Sequence, residues 1–107
     1  SHVFISYKKE DTYQLRALVS VLKEAGIPFW ADIEIEAGTG WRDEIDAALE
    51  QSFALVVIVT SASMLSQYVT FEWSWALGAG VPVIPLLFQP ATAVQIHQRL
   101  QNIQYIT

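Results

Sequence analysis

Residues 53–60 (FALVVIVT) are the most apolar stretch of the chain, with no alternation of apolar and polar positions. A strand of this kind has no face to give to water. It belongs inside a parallel sheet that is covered on both sides. Parallel neighbours are joined by long crossovers, usually helices, so the rest of the chain must alternate strand and helix.

It does. Residues 2–7 (HVFISY) are short, β-branched and aromatic, as a buried strand is. Residues 8–11 are polar and supply a loop, with Asp11 placed to cap a helix over 12–25. Leu15, Leu18, Val19 and Leu22 give that helix one apolar stripe, and Gly26 stands at its C′ position. Residues 27–31 (IPFWA) predict a second strand, and residues 32–40 (DIEIEAGTG) a loop. Trp41, Ile45, Ala48 and Leu49 mark a second amphipathic helix that ends near Ser52. After the central strand, a serine-rich turn over 61–67, with room for a short helical piece, leads to a third helix over 68–79, followed by Gly80. Residues 81–88 (VPVIPLLF) read as a strand whose two prolines point to an edge or an irregular end. A short helix over 92–100 and a last strand over 103–107 complete the order. The expected fold is α/β: a flavodoxin-like, doubly wound, five-stranded parallel sheet of order 2-1-3-4-5 in three α/β/α layers, with right-handed crossovers. Ligands of such folds bind beyond the C-terminal strand ends, at the switch point between the first and third strands.

Composition narrows the function. The 107 residues suit a single domain with one core. With 11 acidic and 6 basic residues, the net charge of −5 argues against a nucleic-acid partner and against docking on anionic lipid. The longest apolar run is far below the ~20 residues of a membrane span. No secretory leader is visible, so a cytoplasmic setting is expected. There is no Cys, and His2 and His97 lie far apart, so neither a metal site nor a thiol or His-based nucleophile is expected. P-loop, GxGxxG, GxSxG and HExxH patterns are all missing. The chain opens directly on a strand-like run, so residues 1–107 are expected to be one domain excised from a longer protein.

Ser6, Tyr7 and Lys8 end the first strand, Asp32 follows the second, and Thr60 and Ser61 end the third. In a parallel sheet these positions share one edge, over which the loop bearing Gly38 and Gly40 can fold. Glu72, about one turn into the next helix, can face the same crevice. Its neighbours are Val69, Thr70, Phe71, Trp73, Ser74 and Trp75, and no Lys or Arg lies between Arg42 and Arg99. A carboxylate in such company tends towards a raised pKa and often marks a site. It is also the kind of acid that a helix takes in its first turn for its dipole. Tyr68 stands one turn before Glu72 on the same face, and Trp41 opens the helix after the glycine loop. Either ring can stack on a flat cation or simply pack, as Trp30, Phe53, Phe71, Trp73 and Trp75 are expected to do. Lys8, Lys9 and Arg42 can meet phosphates or be ordinary surface cations. Asp32, Glu34 and Glu36 make a solvated loop or, alternating with Ile33 and Ile35, an exposed contact segment.

Four segments in order resemble Toll/interleukin receptor (TIR) domains over essentially the whole chain. Residues 4–7 (FISY) resemble the family's first box, and residues 26–32 (GIPFWAD) its second strand. Residues 38–41, with Ile45 and Ala48 beyond them, resemble the BB loop and the helix after it. Residues 66–72 (SQYVTFE) resemble the S-x-W-C-x-x-E stretch of enzymatic members. The animal-type Arg-Asp-x-x-Pro-Gly loop is missing, so the pattern is closer to bacterial and plant-type members, and the family's final helix would be cut off after Thr107.

The resemblance implies that Glu72 is the catalytic carboxylate of an NAD+ glycohydrolase or cyclase. NAD+ is then a substrate, with no cofactor. Ser6, Tyr7, Lys8, Asp32, Gly38, Trp41 and Tyr68 would line the substrate. Tyr68 stands where the family has Trp, and Val69 where it has Cys. Partners would be other TIR domains, in head-to-tail or filament assembly, and the setting bacterial antiviral signalling. Three other readings stand beside it. A non-enzymatic TIR scaffold would not need Glu72. A receiver-like domain would need an Asp ending the third strand, where Thr60 and Ser61 stand. A nucleoside deoxyribosyltransferase-like enzyme would not need the BB-like loop.

Overall fold

The computed structural model describes residues 1–31, 41–88, 96 and 98–101, with backbone alone for 41–44 and 101. The order is β1 (His2–Ser6), α1 (Thr12–Glu24), β2 (Phe29–Trp30), α2 (Trp41–Glu50), β3 (Ser52–Val59), α3 (Ser61–Met64), α4 (Gln67–Ala79), β4 (Val83–Leu87) and α5 (Gln98–Gln101). Among the described residues the sheet has four strands, not the expected five, and all pair parallel in the order β2-β1-β3-β4. That order matches the expected one as far as it extends. The fifth strand expected over 103–107, and most of the helix expected over 92–100, lie outside the described residues.

β3 runs through the middle, and its residues from Ala54 onward are buried. Its side chains alternate between two cores, which accounts for its unbroken apolar sequence. Leu55, Val57 and Val59 join Phe4, Val83 and Leu87 from the sheet. They meet Ile45, Ala48 and Leu49 of α2, Val69, Trp73 and Ala76 of α4, and Leu100 of α5. Val56 and Ile58 join Val3, Ile5 and Tyr7 against Leu15 and Leu22 of α1. The sheet is therefore the central layer of three.

Two strands begin later than their sequence predicts, and helix ends explain both. Gly26, at φ 71°, closes α1 with Ile27 N–H donating to Leu22 O at 2.9 Å and Gly26 N–H to Lys23 O at 3.1 Å, a Schellman pair. Ile27 is thus spent on the cap, and β2 holds only Phe29 and Trp30. Gly80, at φ 77°, ends α4 similarly, with Val81 N–H donating to Ala76 O at 2.9 Å, so β4 begins at Val83. Leu55 N–H donates to Pro82 O at 2.8 Å. In a parallel ladder this directs the even residues of β4 at β3, so Pro85 lacks its N–H on the side turned away.

Candidate active site

Ser6 and Glu72 meet where the end of β1 faces α4. Phe4 lies in the α4-side core, and Ser6, two residues on, points the same way. Its Oγ donates to Glu72 Oε1 at 2.6 Å, and neither residue has any exposed surface. The buried residues of α4 are Val69, Glu72, Trp73 and Ala76, an i, i+3, i+4, i+7 set. Glu72 therefore fills a core-facing slot where an apolar side chain would cost least. A buried carboxylate is expensive unless it is hydrogen-bonded, and 2.6 Å is the length of a charge-assisted O–H···O bond. Burial pulls Glu72 towards its neutral form, and the Ser6 hydroxyl pulls it towards the charged one.

The phase of α4 is set at its start. Ser66 caps it, accepting from Val69 N–H at 3.2 Å, and Thr70 Oγ1 donates to Ser66 O at 2.9 Å. No acid lies in the first turn of α4. The helix-dipole account of Glu72 therefore does not apply, because that effect fades within one turn. Beside Glu72, Trp73 is fully buried, and the Arg99 guanidinium of α5 sits 5.9 Å from its ring centroid.

A second polar cluster lies across the same sheet edge. Thr60, just past β3, donates from Oγ1 to Asp11 Oδ2 at 2.6 Å and accepts from Ser63 N–H at 3.0 Å. Ser63 Oγ in turn accepts from Thr60 N–H at 2.8 Å, a reciprocal cap on α3. This corrects the expected helix cap: Asp11 occupies the N-cap position of α1 but makes no side-chain bond to it.

Of the other site residues predicted from sequence, three have described side chains. Tyr7 is buried in the α1-side core, on the opposite face of the sheet from Ser6. Lys8 is half-buried just beyond β1, and Lys9 is exposed. Tyr68 is half-buried and packs on the α4-side core. Trp41 is the first residue of α2, with its side chain outside the description, and Asp32 and Gly38 lie outside the described residues. A shallow hollow of about 290 Å³ lies elsewhere, beside the start of β1, lined by His2, Trp30, Ala47, Ala48 and Gln51. Phe4 and Trp30 stack at 5.1 Å, so Trp30 packs as expected.

A family model for TIR domains matches residues 3–107. The chain belongs to the TIR domain family. Its fold superposes on the TIR domain of the Toll-related receptor TRR-2 from Hydra magnipapillata with a TM-score of 0.80 at 24% identity, covering 97% of this chain and 81% of that one. It also resembles the TIR domains of the activated Roq1 resistosome, which directly recognises the pathogen effector XopQ. There the TM-score is 0.65 at 24% identity, over 80% of this chain and 56% of that one. No curated protein matches the chain. TIR domains are signalling modules that typically interact with one another. Among the described residues, no helix of this one is long and apolar enough to cross a membrane.

Proposed function

We propose that this TIR domain is an NAD+ nucleosidase that cleaves the bond between ribose and the nicotinamide ring. The observation that carries the proposal is Glu72. It is a fully buried carboxylate in the core stripe of α4, held by Ser6 at the C-terminal edge of the sheet. A carboxylate set there at a cost in stability is what a site built for a developing positive charge requires.

Nicotinamide leaves NAD+ as a neutral molecule once its C–N bond electrons return to the ring nitrogen. No general acid has to protonate it, so one carboxylate suffices where most glycosidases use two. Glu72 holds the ribose hydroxyls and stabilises the oxocarbenium-like transition state. Water then adds at the anomeric carbon and loses a proton to give ADP-ribose. An internal nucleophile of the same molecule gives a cyclic product instead. The proposed setting is cytoplasmic bacterial defence against phage, with assembly among TIR domains as the activating event.

The test is to incubate the concentrated chain with NAD+ and follow free nicotinamide. Turnover is expected, and it should persist in EDTA. No nicotinamide at any protein concentration would refute the proposal. Tyr68, four residues before Glu72 on α4, is proposed to stack on the pyridinium. Tyr68→Ala should then lose more turnover than Tyr68→Trp, by about 5- to 30-fold for the ~1–2 kcal/mol of a desolvated cation–π contact. Equal rates would make Tyr68 a packing residue.

One observation favours a second reading, the non-enzymatic scaffold. Glu72 has no exposed surface. A scaffold accommodates that directly, whereas the enzyme must open to admit the ribose.

A further inference from the structure

An Asp at a helix N-cap ordinarily bonds the helix's own first amides. Asp11 instead bonds Thr60, 49 residues away, and only 8% of its surface is exposed. The bond joins the exits of β1 and β3, the switch point where a doubly wound sheet receives its ligand. The Thr60 hydroxyl serves two partners at once: it donates to Asp11 and accepts from Ser63 N–H. Asp11 N–H also turns back to Lys8 O at 2.8 Å.

The segment between β1 and α1 is thus pinned at both ends. Ser6 is tied to Glu72 of α4, and Asp11 is tied to Thr60, just past β3. Between the pins, Tyr7 is buried in the α1-side core, Lys8 is half-buried, and Lys9 and Glu10 are exposed. With both ends anchored by buried hydrogen bonds, the path that residues 7–10 can take past Glu72 is restricted.

We propose that Asp11 is a positioning residue, acting through Thr60, that clamps residues 7–10 in the arrangement that receives substrate beside Glu72. This rests on the NAD+-cleaving reading, since the clamp's consequence is substrate affinity. Asp11 is not a catalytic residue: it holds the loop and takes no part in bond cleavage.

Four variants test it. Thr60→Val and Asp11→Leu remove the bond, whereas Thr60→Ser keeps the donor and Asp11→Asn keeps an acceptor. The first pair should raise KM for NAD+ on the order of tenfold, the scale of one buried hydrogen bond, with kcat within a few-fold of the parent. The second pair should stay close to the parent. The double variant Asp11→Leu/Thr60→Val should be no worse than Thr60→Val alone, because both substitutions break the same Asp11–Thr60 bond and only Thr60→Val also takes the acceptor from Ser63 N–H. Hydrogen exchange over residues 7–11 reads the clamp without NAD+, and it should quicken in the first pair alone. An active Thr60→Val with parental KM overturns the positioning role. So does a kcat loss shared by all four variants. A parent chain that releases no nicotinamide, but whose variants show this exchange pattern, sinks the cleavage reading and leaves the clamp standing. Parental exchange in all four variants overturns the clamp itself.

Discussion

Glu72→Gln is expected to cut nicotinamide release by at least ~10²-fold, the scale of losing one preorganised electrostatic group, while the fold survives. Gln has nearly the volume of Glu, and its amide oxygen can still accept from Ser6 Oγ, which lies 2.6 Å from Oε1. The change replaces the carboxylate with an amide of similar shape that can no longer carry a negative charge. Glu72→Ala is the poorer test, because it leaves a void in the α4-side core and takes the acceptor from a fully buried hydroxyl. The informative partner is the double variant Ser6→Ala/Glu72→Leu, which replaces both ends of the buried bond with apolar groups. Such replacements are often neutral or stabilising. Its thermal midpoint should equal or exceed the parent's while turnover is lost. That combination is the signature of a polar pair kept for chemistry at the expense of stability. If Glu72→Gln retains turnover within a few-fold of the parent at matched protein concentration, Glu72 is structural and its catalytic role falls.

The same residue shows how far the sequence reaches. The run 53–60 is apolar at every position before Thr60, and only burial on both faces tolerates that, so the parallel sheet and its layers were legible. Alternation of element types implied parallel pairing but not strand order, because the two common doubly wound orders share it; the flavodoxin-like order expected here matches as far as the described sheet extends. Strand ends were not legible, because Ile27 and Val81 are apolar residues engaged in helix caps, and hydropathy cannot tell a cap from a strand. The facing of Glu72 was hidden for a related reason. α4 is apolar nearly all round, with Phe71 exposed and Trp73 buried, so periodicity does not select a face. The bond from Thr60 to Asp11 left no local signal, because its partners are distant in the chain. Only the adjacency of β1 and β3 brings their exits together. Asp11 carries the signature of a helix cap, which is what the sequence predicts and the fold overrides.

Specific activity should rise almost in proportion to protein concentration while the chain is dilute, up to ~100-fold across a hundredfold range, and then level off. Glu72 is shut from solvent in the single chain, with no exposed surface, so a lone protomer holds its carboxylate where a ribose cannot reach it. Something must favour the open arrangement, and a ligand or neighbour does so only by binding it better than the closed one. TIR domains typically interact with one another, so the neighbour proposed is a second copy. Well below the dissociation constant, the fraction of protomers that have a neighbour grows linearly with concentration, and turnover per protomer follows it. A head-to-tail contact need not close on itself, so the active species should grow in size as activity rises. The segment proposed to make that contact, residues 33–40, lies outside the described residues. Its part in the prediction rests on sequence: alternating Ile33 and Ile35 among acids, then Gly38 and Gly40. Glu36→Lys should therefore depress activity at intermediate concentration and be rescued by higher concentration, which no loss at the carboxylate would allow. The measurement is specific activity with sizing in parallel. A constant value from a monodisperse monomer across the whole range would show that the single chain opens by itself, and that assembly has no part in its activation.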